Sequence, residues 1–212
     1  MHFAREGYPW IFGCGIASLV CGLLGFQILS FLMLFLTLFV AFFFRDPDRL
    51  SPQDERLILS PADGRVVVVE QNCQVERFLD TPITRVGIFL SPLDVHVTRV
   101  PVSGTVTAVR YQPGRFRPAF AAEAADVNEQ NVVILQDTHD HRLVLVQVAG
   151  MLARRIVCAL KGGERVQQGD RYGLIMFGSR VDLYCPPEIE LKVQVGQRVK
   201  AGETIIGEYR GL

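Results

Sequence analysis

The sequence predicts a mostly β protein: a barrel-sandwich-like β domain with few short helices, preceded by an N-terminal membrane helical hairpin. Three observations carry that expectation. The first 44 residues are nearly free of charge, the remainder is a series of short β-rich runs between turn residues, and two short patterns recur within it. A chain of 212 residues can bury one real core and still carry an appendage.

From Gly7 to Phe44 there is no Asp, Glu, Lys or Arg. As one straight helix, Trp10–Phe44 would run roughly 50 Å, well beyond the ~30 Å hydrocarbon core. Gly25, Gln27 and Ser30 interrupt it near the middle. Two short helices with a turn around Gly25–Gln27 therefore fit a bilayer better. Arg5 precedes the segment, and Arg45 and Arg49 follow it. The positive-inside rule then puts both ends in the cytoplasm, which a hairpin permits. The expectation is an anchor over residues 1–44 in the inner (cell) membrane, with residues 45–212 on the cytoplasmic side. A secretory signal is the alternative, but the run ends in Phe42-Phe43-Phe44-Arg45 and not in a small-residue cleavage site.

After Arg45 the expected strands are Val66–Glu70, Arg85–Leu90, Val95–Val100, Val132–Gln136, Leu143–Val148, Leu174–Phe177, Glu190–Val193 and Thr204–Tyr209. Helical periodicity is confined to Ala119–Ala125 and Met151–Leu160. Gly163-Glu-Arg-Val-Gln-Gln-Gly-Asp170 and Gly196-Gln-Arg-Val-Lys-Ala-Gly-Glu203 share one form, and Ala62-Asp-Gly-Arg-Val66 and Val102-Ser-Gly-Thr-Val106 form a second pair. Such turns resemble those of lipoyl and biotinyl carrier domains, so a swinging-arm carrier is one candidate function. A carrier needs a lysine at a hairpin tip, and Lys161, Lys192 and Lys200 lack that context. The hairpin-like tip carries Gly178-Ser179 instead.

Net charge is zero, without the basic stripe that nucleic acid would require. Five cysteines and no C-x-x-C argue against a disulfide framework and a zinc site, so no metal is expected.

Ser179 follows a glycine in a tight turn, which is most simply a structural arrangement. The same geometry suits chemistry, because glycine permits backbone conformations that bring the serine Oγ to the Gly178 carbonyl. Attack there gives an ester by N-to-O acyl shift. β-Elimination leaves dehydroalanine, which hydrolyses to a pyruvoyl group and ammonia. The hydroxyl needs a base. Of the four histidines, His2 precedes the apolar segment and His139 and His141 sit in a polar turn, leaving His96 in Ser91-Pro-Leu-Asp-Val-His96. An orienting carboxylate would come from Asp63 or Asp94. Asp63-Gly64 is equally a turn signal.

Several stretches together resemble phosphatidylserine decarboxylase, in the short membrane-anchored class of the proenzyme. They are Phe43-Phe-Arg-Asp-Pro47, Ser60-Pro-Ala-Asp-Gly64, Phe89-Leu-Ser-Pro-Leu-Asp-Val-His96, Pro113-Gly-Arg-Phe116 with Asn128-Glu-Gln-Asn131, Ala153-Arg-Arg-Ile156, and Phe177-Gly-Ser-Arg-Val-Asp182. The resemblance implies self-cleavage between Gly178 and Ser179 into a β chain of residues 1–178 and an α chain of residues 179–212. The α chain would begin with a covalent pyruvoyl cofactor made from Ser179. Asp63 would be the triad aspartate and His96 the histidine of the S-P-x-D-x-H motif. The implied substrate is phosphatidylserine in an anionic membrane, decarboxylated to phosphatidylethanolamine, and a homo-oligomer is compatible with this reading. Arg45, Arg49, Arg115 and Arg117 are candidates to meet anionic headgroups. The chain departs from the family pattern in three places. The long class has L-G-S-T where Phe177-Gly-Ser-Arg180 stands, a second histidine where Arg99 stands, and often arginine where Gln130 stands. His96 is then expected to serve both maturation and turnover.

Overall fold

The computed structural model describes residues 2–73, 83–119, 124–151, 155–176 and 178–210. They form two compact units, Met1–Asp48 and Arg49–Leu212. In the first unit, β1 (His2–Phe3), α1 (Tyr8–Leu23), α2 (Gln27–Phe43) and β2 (Arg45–Asp46) follow one another. β1 pairs with β2 and closes the base of the helical hairpin. Pro9 lies in the first turn of α1, where its missing N–H breaks no helical bond. The helices turn at Gly25, with φ of +84°, where the interrupted apolar run predicted it. Ser18 Oγ donates to the Ser30 carbonyl and Ser30 Oγ to the Ser18 carbonyl, each at 2.8 Å, tying α1 to α2 without charge.

The helices have 16 and 17 residues. That is about 24–26 Å of helix, short of the ~30 Å of a hydrocarbon core. No described helix is long and apolar enough to cross a membrane. Their outer faces are apolar, with Leu23, Ile28 and Phe35 largely exposed.

The second unit is almost entirely β. Its elements are β3 (Leu57–Leu59), β4 (Gly64–Cys73), β5 (Ile83–Leu90), β6 (Val97–Arg99), β7 (Gly104–Gln112), a short α3 (Ala124–Val127), β8 (Gln130–Asp137), β9 (Arg142–Val148), β10 (Ile156–Cys158), β11 (Arg165–Val166), β12 (Arg171–Ile175), β13 (Ser179–Cys185), β14 (Ile189–Leu191), β15 (Arg198–Val199) and β16 (Ile205–Tyr209). Eight strands make a curled half-barrel sheet in the order β11-β7-β8-β9-β13-β5-β4-β15. Two three-stranded sheets, β10-β12-β6 and β14-β16-β3, complete the unit.

Period-two alternation sorts the side chains. Val133 and Leu135 of β8, Leu143 and Leu145 of β9, Val86, Ile88 and Leu90 of β5, and Val181 and Leu183 of β13 enter one core with Ile58, Tyr172, Ile175 and Ile206 of the small sheets. Val132, Ile134, Val144, Val146, Val148 and Tyr184 form a second cluster on the other face. Both faces are covered, which is why these strands read as near-continuous apolar runs.

The recurring patterns pair with one another. Arg165 and Val166 lie opposite Thr105 and Gly104, and Arg198 and Val199 lie opposite Arg65 and Gly64. Each glycine-led strand then bulges, β4 between Val66 and Val68 and β7 between Val106 and Ala108.

Three expectations change. β7 and β13 are strands beyond those foreseen, and β13 is central in the large sheet. Gly178-Ser179 is consequently not a hairpin tip: β12 and β13 belong to different sheets, and the segment between them crosses from one to the other. Within Met151–Leu160, Ile156–Cys158 is a strand laddered to β12, because tertiary pairing outweighs local periodicity in a β-branched run. Residues 152–154, which include Ala153 and Arg154 of the Ala153-Arg-Arg-Ile156 motif, and residues 120–123 of the other expected helix lie outside the described residues.

Candidate active site

Gly178 holds φ at +62°, and no atom of the described residues beyond its chain neighbours lies within 4 Å of the place a Cβ would occupy. The requirement for glycine there is conformational and not a matter of room. Phe177 lies outside the described residues. Ser179 opens β13, pairs with Leu90 of β5, and is fully buried. Its Oγ has no hydrogen-bond partner among the described residues. A buried hydroxyl ordinarily finds one, so this atom calls for a chemical explanation.

His96 is tied by a separate route to the strand that precedes Ser179. Leu90 pairs with Ser179, and six residues later the His96 carbonyl accepts the Ile175 N–H at 3.3 Å. The loop Ser91–His96 and the segment from Ile175 to Ser179 thus share both ends. Asp94 shapes this loop. Its Oδ2 accepts the Ser91 N–H at 2.9 Å and the Ser91 hydroxyl at 2.6 Å, while Oδ1 meets Arg198 at 3.3 Å.

His96 is fully buried, with Nδ1 2.9 Å from the Asp94 backbone carbonyl. A carbonyl only accepts, so Nδ1 carries the hydrogen and the neutral ring keeps its lone pair on Nε2. The orienting contact at Nδ1 is therefore a backbone carbonyl. Neither the Asp63 nor the Asp94 carboxylate makes it.

Asp63 sits in the turn before β4. Oδ1 accepts the Ala201 N–H at 2.8 Å, and Oδ2 accepts from Arg49 Nη2 at 2.8 Å. Burial pushes its carboxyl above the ordinary value, against the lowering influence of the Ala201 N–H and Arg49; nearby Asp94 adds to the rise. Arg49 also meets Glu203 at 3.2 Å, and its side chain is only 7% exposed. This arginine faces inward, where the sequence offered it to headgroups. Arg49, Arg99 and Arg171 line a polar cleft of about 660 Å³ with Gln53 and Gln168.

Asn128, Asn131, Arg180 and Asp182 belong to motifs quoted above, but their structural roles were not foreseen, and Gln147 was not singled out at all. Asn128 organises the Pro113–Phe116 motif: its Oδ1 accepts the Arg117 N–H at 2.9 Å and its Nδ2 donates to the Arg117 and Ala149 carbonyls. Gln147, fully buried, accepts from Asn131 and donates to Thr98 Oγ1 at 3.3 Å, tying β8 and β9 to the strand that follows His96. On the other face of β13, Arg180 and Asp182 are both fully buried and paired. Their i, i+2 spacing signals a shared face once the segment is known to be a strand. Among the described residues no cluster of His, Cys, Asp and Glu is placed to hold a metal ion.

The family model for phosphatidylserine decarboxylase matches residues 36–207. A phosphatidylserine decarboxylase proenzyme of Geotalea uraniireducens is 47% identical over 204 residues, covering 96% of this chain and 95% of that protein. Proenzymes of the same description from Syntrophotalea carbinolica and Desulfotalea psychrophila are 45% and 42% identical, with 96% and 97% of this chain covered and 95% of each relative.

Proposed function

The chain belongs to the phosphatidylserine decarboxylase family, and on that premise we propose that it converts phosphatidylserine to phosphatidylethanolamine and CO₂ with a pyruvoyl group made from Ser179. Membership of this family sets aside the swinging-arm carrier. The observation that carries the proposal is the buried Ser179 hydroxyl, without a hydrogen-bond partner among the described residues, directly after a left-handed Gly178.

In maturation, Ser179 Oγ attacks the Gly178 carbonyl carbon as its proton leaves, and the peptide nitrogen becomes the free amine of an ester. Loss of the residue 179 α proton expels Gly178 as a carboxylate and leaves dehydroalanine. Water then replaces the nitrogen, which departs as ammonia. The Nε2 lone pair of His96, directed by the Asp94 carbonyl, is the base for these transfers.

The α chain of residues 179–212 would stay in place. β13 pairs with β5 and β9, β15 with β4 and β16 with β3 of the β chain, and Tyr209 donates to Asp137 at 2.5 Å. When present, the pyruvoyl carbonyl supplies the sink for the electron pair left as CO₂ departs. His96 returns a proton to the product's α carbon. The arginine-lined cleft supplies positive potential for an anionic headgroup. The apolar hairpin, embedded in the cytoplasmic face of the cell membrane, holds the enzyme at its substrate's surface.

Intact mass of the purified enzyme is expected to show a fragment of residues 179–212 with a blocked N-terminus. Ser179→Ala is expected to remain one chain and to lack decarboxylation on phosphatidylserine vesicles. A wild-type chain that is active yet never cut would overturn the proposal.

A further inference from the structure

We infer that the buried ion pair between Arg85 and Asp182 anchors the chain end that cleavage at Gly178-Ser179 creates, an inference that rests on the cleavage proposed above.

Chain ends fray unless something ties them down. Here the residue bearing the reactive carbonyl would itself be the first residue of a new chain. Among the described residues its ladder support is one-sided. Ser179 pairs with Leu90 on β5, whereas the β9 ladder begins only at Arg180, opposite Val148. Before the cut, the peptide bond to Gly178 holds the other side. After it, that restraint is gone.

The opposite face of β13 carries a restraint of the kind required. Arg180 Nε donates to Asp182 Oδ1 at 2.5 Å and its Nη2 to Oδ2 at 3.1 Å, so the second and fourth residues of the α chain are locked together. Both are fully buried. Arg85 Nη2 donates to Asp182 Oδ2 at 3.0 Å, and its Nη1 reaches Glu70 at 3.2 Å. Arg85 and Glu70 belong to the β chain, Arg180 and Asp182 to the α chain. The Arg85–Asp182 bond therefore crosses the cut, three residues from the new end.

The fold makes room for it. A Cβ on Gly87 of β5 would lie 2.8 Å from Asp182 Oδ1 and 3.1 Å from Arg180 Nε and Nη2. Burial alone would lower the Arg85 pKa, and the adjacent Asp182 reverses the effect, keeping the guanidinium charged. Buried ion pairs are often no more stabilising than an apolar replacement of the same size. Stability by itself thus gives little reason to place two arginines and an aspartate here. A directional hold on a strand that loses its upstream residue does.

The test compares Arg85→Met in two forms, the processed enzyme and an uncut Ser179→Ala chain. In the uncut chain, amide hydrogen exchange at residues 180–182 is expected to stay close to that of Ser179→Ala alone. In the processed enzyme it is expected to accelerate, and kcat to fall on the order of 10–100-fold with KM little changed, as misplacement of a reacting group produces. Arg85→Lys, which keeps the charge and one donor, is expected to restore most of the protection. Equal acceleration in cut and uncut chains, or unchanged exchange in the cut enzyme, would overturn the inference. If Arg85→Met does not accumulate folded, Arg85→Gln, which also removes the charge, is compared in the same two forms, and equal acceleration in both counts against the anchor. Wild type that is never cleaved sinks the anchor together with the cleavage reading, and that failure is visible before any Arg85 variant is made.

Discussion

At one end of the eight-stranded sheet, β15 lies against Arg65 and Gly64; at the other, β11 lies against Thr105 and Gly104 in the same register. The supporting bonds match as well. Gly196 N–H donates to the Val66 carbonyl and Gly163 N–H to that of Val106, each at 2.8 Å. The residue before each glycine accepts a backbone N–H from the opposing turn: Asp63 takes that of Ala201 at 2.8 Å, and Ser103 takes that of Gln168 at 3.0 Å. One position does the same structural work in both turns, yet only one carries a charge. The hydroxyl at Ser103 shows that closing this turn does not require a carboxylate. What Asp63 adds is its second oxygen, which holds Arg49 beside the arginine-lined cleft.

The largest effect is expected from making the two ends alike. Asp63→Ser keeps an acceptor for Ala201 but releases Arg49. The variant should remain folded by circular dichroism, while cleavage and decarboxylation fall by at least on the order of 100-fold. Wild-type processing and turnover would reduce Asp63 to a turn-closing residue like Ser103.

A smaller effect is expected at the uncharged end. Ser103→Ala leaves the Gln168 N–H without its acceptor and should cost about 1–3 kcal/mol in denaturant unfolding, with processing intact. Loss of activity out of proportion to stability would mean that both ends take part in the chemistry.

The smallest is a difference in pH dependence. Burial raises the Asp63 carboxyl above 3.8 in the folded protein, so the fold binds that proton more tightly than the unfolded chain does. Its contribution to stability is fully present below 3.8 and is lost as pH rises through the folded value. Thermal unfolding of wild type relative to Asp63→Ser should lose ground over that window, and Ser103→Ala should show no such trend. A relative gain with rising pH would mean that Arg49 and not burial dominates at Asp63.

Much of this enzyme was legible in the sequence because its signals are local. An uncharged run broken at Gly25 announces a hairpin, and β-branched runs between turns announce strands. The two repeated G-x-R-V turns were visible as repeats, although nothing local says that each pairs with an Asp-Gly or Ser-Gly turn far along the chain. Ser179, His96 and Asp63 were singled out through motifs. β13 was missed because Ser-Arg-Val-Asp-Leu-Tyr-Cys alternates apolar residues with an arginine and an aspartate, a pattern that reads as a solvent-facing side. In the folded protein that side is buried, the two charges pair with one another, and Asp182 also pairs with Arg85.

By itself, then, the sequence determined the β character, the apolar hairpin and which serine is proposed to react, since each depends on residue type, spacing or neighbouring residues. The tertiary structure decided how these are held. It set the His96 ring against the Asp94 carbonyl, placed Ser179 at the head of a central strand, and brought Arg85 onto Asp182 across 97 positions of sequence. Those contacts depend on which strands become neighbours, and pairing order in a sheet is settled by burial of the whole core and not by any one segment.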